Sequence, residues 1–170
     1  ELIALWRATM GARAPHDLEN LVLETFAGYS EGDVTPTADL PPLFADLRAA
    51  GYLLGMATND DSHAANWTAQ RLELSDHLSF VVGADAGHGG KPGPGMALAF
   101  CAATGLHPSQ VAIIGDSAAD AGMARSAGLG AAIGVCTGAA PAAALAPHFD
   151  VVIASVADLP ALLAGGRVTG

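Results

Sequence analysis

The sequence predicts an α/β fold with a parallel sheet, and three observations carry that prediction. From about residue 39 onward, short apolar runs rich in β-branched residues alternate with segments of helical spacing. Polar side chains follow several of these runs directly. The composition, 51% hydrophobic and 14% charged, suits a globular domain of this class and argues against disorder.

The first segment is helical and differs from the rest. Apolar residues recur at helical spacing in Glu1–Met10 and again in Asp17–Phe26. Glycines and prolines then interrupt the pattern at Gly28, Gly32 and Pro36. We therefore expect residues 1–35 to form a helical hairpin separate from an α/β unit over residues 36–170.

The α/β unit begins with a helix that ends at Gly51, a typical C-terminal glycine. The elements predicted next are a strand at Tyr52–Ala57, a helix at His63–Leu72, a strand at Phe80–Val82 and a glycine-rich loop over residues 83–95. Then follow a helix at Gly95–Thr104, a strand at Val111–Ile114, a helix capped by Ser117, strands at Ala131–Cys136 and Asp150–Ile153, and a last helix at Val156–Ala164. This alternation predicts βαβ crossovers and a parallel sheet.

The stretch Val111–Gly128 holds two acidic residues at a strand-to-helix turn. Asp116 follows the apolar strand, and Asp120 lies in the first turn of the next helix. Two carboxylates at this spacing can converge on Mg²⁺, which prefers oxygen ligands. The alternative is that both residues only cap the helix.

Other polar residues follow neighbouring strands. Thr58 and Asn59 come after the strand that ends at Ala57, and Lys91 lies in the loop after the next strand. Because parallel strands end at one edge of a sheet, these groups can meet Asp116 in one crevice. A hydroxyl, an amide, an ammonium and a metal-binding acid together suit a phosphoryl group. Taken singly, Thr58 and Asn59 could instead cap a helix, and Lys91 could be a solvated loop residue.

In these motifs the sequence resembles the haloacid dehalogenase-like hydrolases, and among them the phosphoglycolate phosphatase-like group. The matching pieces are GMATND with Thr58, GGKPGP with Lys91, and IIGDSAAD with Asp116 and Asp120. The resemblance spans about residues 35–163. It implies a Rossmann-like core, with residues 1–35 as part of a helical cap over the site.

The resemblance also implies a role for each site residue. Thr58, Asn59 and Lys91 would bind the phosphoryl group of a small phosphate ester, and Asp116 would ligate Mg²⁺. Asp120 would hold the water shell of the metal or orient Lys91. Thr58, Lys91, Asp116 and Asp120 are thus the expected catalytic set of a magnesium-dependent phosphatase that works through an aspartyl-phosphate.

One family motif is missing. Family members open with a strand and a DxDGT motif that carries the nucleophile, and no such segment occurs in these 170 residues. The nucleophile would then lie outside these residues, or the chain is truncated. In the family that strand lies between the strands that here end near Thr58 and Asp116. Two alternative functions stay open: a non-catalytic module that binds a phosphorylated ligand or partner, and a β-phosphoglucomutase-like phosphotransferase.

Charge and composition limit the remaining possibilities. The net charge of −10 makes nucleic acid an unsuitable partner. Two isolated cysteines, no signal-peptide pattern at the start and no long apolar run predict a reducing compartment, the cytoplasm, and no membrane association. The oligomeric state is not predicted.

Overall fold

The computed structural model describes residues 34–165, which all fall in the compact unit Val34–Gly170. It confirms the predicted alternation of helices and strands. The helices are α1 (Leu40–Ala49), α2 (Ser62–Arg71), α3 (Gly95–Thr104), α4 (Ala118–Ala127), α5 (Ala142–Leu145) and α6 (Leu159–Ala164). The strands are β1 (Gly55–Ala57), β2 (Phe80–Val82), β3 (Ala112–Gly115), β4 (Ala131–Val135) and β5 (Val151–Ile153). The two helices predicted within residues 1–35 lie outside the described residues.

The strands are parallel but form two separate sheets. One sheet pairs β1 with β2, and the other has the order β3-β4-β5. In the register, Ala57 lies beside Val82, and Gly115 lies beside Gly134. In the first sheet the chain passes from β1 to β2, and in the second it passes from β3 to β4 and then to β5. In both sheets it therefore moves away from the region between β1 and β3. The change of direction therefore falls between β1 and β3, where α/β folds bind their ligands.

A groove of about 760 Å³ borders both β1 and β3. Among the described residues, helix α1 contributes Leu47 and Phe44 to its wall, and helix α3 contributes Met96 and Phe100. Ile114 of β3 also lines the groove and remains 37% exposed. No strand of residues 34–165 pairs with β1 or β3 on the groove side. The groove is thus an apolar slot between two strand edges.

Backbone hydrogen bonds show which edges the slot exposes. Leu54 O accepts a hydrogen bond from Ser79 N, and Thr58 N donates one to Val82 O. Both groups therefore point toward β2. Val111 O accepts from Gly130 N on the β4 side. Successive strand residues point their backbone groups to opposite edges, so the groups of the alternate residues turn toward the slot. These alternate residues are Gly55, Ala57, Ala112 and Ile114.

Helices cover both faces of the sheets. On one face, Met96 and Met123 pack with Val82 beneath α3 and α4. On the other face, Leu47 and Leu159 pack against Ile133. Alanine is common in these contacts, which lets helices and strands approach closely.

Several boundaries differ from the prediction. Strand β1 begins at Gly55 rather than Tyr52, because its partner β2 begins only at Phe80; Tyr52 and Leu53 are 45% and 43% exposed. The short helix α5 and the 3₁₀ turn Pro108–Gln110 have no counterpart in the prediction. The predicted last helix, Val156–Ala164, divides into a 3₁₀ turn at Val156–Asp158 and helix α6. Within the described part of the chain no helix is long and apolar enough to cross a membrane, and both cysteines are free.

Candidate functional site

The predicted site residues follow the carboxyl ends of β1, β2 and β3. Thr58 and Asn59 follow β1, Lys91 lies in the loop after β2, and Asp116 and Asp120 follow β3. Hydrogen bonds join Lys91 directly to Asn59, to Ala57 and to Asp120. Lys91, Asp116 and Asp120 all line the groove. The structure therefore brings Lys91 together with Asn59, Asp116 and Asp120. Thr58 follows β1 at the same edge but bonds to Asp60 and does not line the groove.

Lys91 connects the two sheets. Its Nζ donates to the carbonyl oxygen of Ala57 in β1 at 3.0 Å and to Oδ1 of Asp120 in α4 at 2.7 Å. The side chains of Lys91 and Asp120 are only 15% and 6% exposed. Burial lowers the screening of this ion pair, so the ammonium has a fixed position. Lys91 is not a solvated loop residue.

Asp120 is held from two sides. Its Oδ2 accepts from the backbone N–H and the hydroxyl of Ser117 at 3.1 and 2.6 Å, while the Ser117 hydroxyl accepts from Asp120 N. This reciprocal capping box begins α4 as predicted. A side chain at Gly115 would clash with the Asp120 carboxylate. Asp120 therefore both caps the helix and binds Lys91.

Thr58 has a partner that the sequence analysis missed. Its hydroxyl donates to Oδ2 of Asp60 at 2.9 Å and accepts from Asp60 N at 3.1 Å. The next helix is capped by Asp61, whose Oδ1 accepts from Ala64 N at 2.7 Å. The capping alternative for Thr58 and Asn59 is therefore wrong. A phosphoryl oxygen would compete with Asp60 for the Thr58 hydroxyl.

Asn59 uses both atoms of its amide on one partner. Its Oδ1 accepts from Lys91 N at 2.7 Å, and its Nδ2 donates to Lys91 O at 3.2 Å. A side chain at Gly90 would come within 3.0 Å of Asn59 Oδ1, so the glycine leaves room for this contact. The binding role predicted for Asn59 stays a prediction. The sequence held no signal for this pairing, because it depends on the path of the glycine-rich loop.

Asp116 is exposed where β3 ends. A side chain at Gly138 would clash with its carboxylate, so the loop after β4 approaches Asp116 closely. Residues 34–165 hold no cluster of three His, Cys, Asp or Glu side chains that could bind a metal. Mg²⁺ is commonly bound through one or two carboxylates, substrate phosphate and water. One exposed carboxylate at the end of a strand fits that pattern, and the metal role of Asp116 stays a prediction.

Two relatives share much of this sequence. A phosphoglycolate phosphatase of Chromobacterium violaceum is 39% identical over 120 residues, which are 71% of this chain and 53% of the relative. An N-acetylmuramic acid 6-phosphate phosphatase of Pseudomonas aeruginosa is 33% identical over 93 residues, which are 55% of this chain and 41% of the relative. The chain spans about half the length of the curated relatives it matches.

Solved structures share the fold. The crystal structure of a predicted phosphoglycolate phosphatase from Haemophilus somnus superposes with a TM-score of 0.79 at 20% identity, covering 95% of this chain and 73% of that chain. A HAD family hydrolase from Deinococcus radiodurans was solved with bound phosphate and sodium. It superposes with a TM-score of 0.74 at 23% identity, covering 96% of this chain and 74% of that chain. At these identities the likeness shows the fold.

The family is shown by a match over most of the chain. Residues 5–128 match the family model described as haloacid dehalogenase-like hydrolase. The match includes Thr58, Lys91, Asp116 and Asp120, the residues on which the resemblance was based. The chain therefore belongs to the haloacid dehalogenase-like hydrolases.

Proposed function

We propose that this chain forms the core of a magnesium-dependent phosphatase that hydrolyses a small phosphomonoester. The observation that carries the proposal is the fixed ammonium of Lys91, held by Asp120 and Ala57 at the edge where Thr58 and Asp116 also lie. The two relatives described above are named as phosphatases of small phosphorylated molecules. The two free cysteines support the expected cytoplasmic location.

In the proposed reaction a carboxylate from outside these 170 residues attacks phosphorus. A bond forms between the carboxylate oxygen and phosphorus, and the bond from phosphorus to the alcohol oxygen breaks; the alcohol leaves after taking up a proton. Water then attacks the acyl phosphate, which releases inorganic phosphate and restores the carboxylate.

Lys91 and Thr58 would stabilise the transferring group. Within residues 34–165 the Nζ of Lys91 has two acceptors, which leaves its third N–H for a phosphoryl oxygen in the proposed complex. Preorganised donors of this kind lower the barrier because no reorganisation accompanies the build-up of charge. Thr58 would donate its hydroxyl after leaving Asp60. Asp120 acts through Lys91 and is a positioning residue.

Asp116 would hold the magnesium ion. When bound, Mg²⁺ offsets the charge repulsion between an attacking carboxylate and the phosphoryl oxygens. The contribution of this chain is an exposed carboxylate at the end of β3, with Gly138 leaving room beside it. Loss of that carboxylate would weaken metal binding without touching Lys91.

The slot between β1 and β3 supports the proposal that a strand from outside the 170 residues completes the sheet. Two parallel strand edges face the slot, and helices cover it on both sides. A strand there would bury apolar side chains on both of its faces and satisfy both edges. Its carboxyl end would come out beside Lys91 and Asp116, which is where the proposed nucleophile is needed.

The test measures hydrolysis of p-nitrophenyl phosphate by the protein expressed from its complete open reading frame. We expect magnesium-dependent turnover that falls by at least about a hundredfold in Asp116→Ala and in Lys91→Met. Asp76→Ala, an exposed acidic residue outside the groove lining, is the matched control. Activity that survives Asp116→Ala would overturn the site assignment. Binding of phosphate without turnover would favour the non-catalytic alternative.

A further inference from the structure

We propose that Asn59 is a positioning residue that fixes the backbone of Lys91 and thereby aims its ammonium group. The inference rests on the proposed function, because it gives Asn59 a task in the same site. It adds a role that is distinct from direct contact with the substrate.

The geometry of the amide carries the inference. Asn59 Oδ1 accepts from Lys91 N at 2.7 Å, and Asn59 Nδ2 donates to Lys91 O at 3.2 Å. Two bonds from one planar amide to the two polar groups of one residue fix both the position and the rotation of that backbone. Gly90 lies against Asn59 Oδ1, which lets the loop come this close.

The two ends of Lys91 are thus held by different contacts. Asn59 holds the backbone, while Ala57 O and Asp120 Oδ1 hold Nζ. Ala57 is the last residue of β1 and Asn59 lies two residues after it, so the loop is attached at two points near this strand end. Without Asn59 the ion pair with Asp120 would remain, but the loop could shift beneath it. Displacing a catalytic group by about 1 Å can cost about a hundredfold in rate.

A single feature of the sequence makes the contact measurable. Lys91 is the only lysine of the 170 residues. In the protein expressed from its complete open reading frame and labelled with ¹⁵N-lysine, the amide signal that is lost in Lys91→Arg is that of Lys91, and its hydrogen-exchange rate reports the bond to Asn59. In Asn59→Leu, which keeps the size of the side chain but removes both bonds, we expect exchange to be faster by about three- to tenfold. Asn59→Asp keeps the acceptor oxygen, and its exchange should stay within about twofold of the wild type.

Kinetics of the phosphatase separate positioning from direct binding. In Asn59→Leu we expect kcat to fall by about ten- to a hundredfold, with KM changed less than about threefold. Asn66→Leu is the matched control, since Asn66 donates to Ser62 O at 2.7 Å within α2 and has no bond to the loop. It should leave both the Lys91 exchange rate and kcat unchanged.

Two results would overturn the inference. One is an Asn59→Leu variant whose Lys91 amide exchanges at the wild-type rate. The other is a rise in KM with kcat unchanged, which would assign Asn59 to substrate binding. Lack of turnover in the wild type would overturn the proposed function instead, and the exchange rates would still decide whether Asn59 fixes Lys91.

Discussion

At the scale of single residues, Lys91 and Asp120 form an ion pair that is largely buried. Their side chains are 15% and 6% exposed, and the distance between Nζ and Oδ1 is 2.7 Å. Such a pair contributes little net stability by itself, because both charges lose hydration. Removal of one partner destabilises the fold much more, because the other charge is left buried without its counter-charge.

We therefore predict that Lys91→Met lowers the free energy of unfolding by about 3 kcal/mol. The double variant Lys91→Met, Asp120→Asn should regain part of this loss, because no buried charge remains. Urea denaturation of the two variants and the wild type measures the effect. Equal stability of Lys91→Met and wild type would contradict the burial of the pair.

The sequence predicted that Lys91 lies with Asp116 and Asp120 at one sheet edge, but only part of how the residues there are bonded. Thr58, Lys91, Asp116 and Asp120 follow strand ends, and the edge of a parallel sheet brings strand ends together. The bond between Thr58 and Asp60, and the pairing of Asn59 with Lys91, depend on loop conformations. The Thr58 bond is a local turn between residues two apart, a pattern that Thr favours. The Asn59 bonds span 32 residues, so no local pattern could predict them.

At the scale of elements, helix α4 packs closely on the loop that carries Lys91. A side chain at Gly122 would come within 2.5 Å of Pro92 Cβ. Because Pro92 follows Lys91 directly, a shift of this proline moves the lysine. Alanine favours helices over glycine by up to about 1 kcal/mol, so the same change also stabilises α4.

We predict that Gly122→Ala lowers kcat by about tenfold with little change in the free energy of unfolding. The control is Gly105→Ala, at the left-handed C-cap of α3 with φ of 73°. That change should cost about 1 kcal/mol of stability and leave kcat unaltered. Phosphatase assays and thermal unfolding of both variants provide the comparison. Full activity in Gly122→Ala would show that the loop is independent of α4.

A second contact between elements depends on pH. Asp150, which precedes β5, accepts from Ala132 N in β4 at 2.7 Å and from Arg125 Nη2 in α4 at 2.9 Å. The backbone bond from Ala132, and after it the bond from Arg125, lower the pKa of Asp150 below its usual 3.8. The ionised carboxylate is thus favoured in the folded state. The stabilisation of the folded state by the ionised Asp150 carboxylate is present above about pH 3.8. It is lost as the pH falls through the lower folded-state pKa.

We predict that Asp150→Asn is less stable than the wild type at pH 7 and that the difference shrinks as the pH falls below about 3.8. Urea midpoints at several pH values test this. Asp158→Asn is the control, because among the described residues the Asp158 carboxylate bonds only within its own turn, to Ser155 N. If the stability difference between Asp150→Asn and the wild type is the same at every pH, the charge of Asp150 does not stabilise the folded state.

The sequence predicted the elements better than their ends. Strand β2 and helix α3 have the predicted bounds. The strand is a short apolar run, and a glycine ends the helix. Strand β1 is half its predicted length, because only the residues beside β2 pair. An apolar run alone does not reveal where the partner strand begins.

At the scale of the molecule, the slot leaves a strand edge open in the described residues. Ile114 in β3 is 37% exposed and lines the slot. Open apolar edges pair readily with other chains. The gap could be predicted from the missing DxDGT motif, because the family resemblance places the strand that carries this motif between β1 and β3. Composition and hydrophobic periodicity do not indicate the gap.

We predict that the 170-residue chain aggregates through this edge and that Ile114→Lys slows the aggregation. Leu98→Lys is the matched control: Leu98 is 43% exposed, but it lies on α3 and not on a strand. Light scattering over time compares the variants at equal concentration. If both substitutions act alike, added charge rather than the strand edge would be the cause.

Lys91 joins β1 to α4 across the same slot, so the slot and the phosphoryl site share one side chain. A strand that enters the slot and sets the spacing of the two sheets also sets the position of the ammonium. Binding free energies at coupled sites are reciprocal. If the strand raises the affinity for a phosphate ester by some factor, the ester must raise the affinity for the strand by the same factor. A phosphorylated ligand would then help to hold the sheet together.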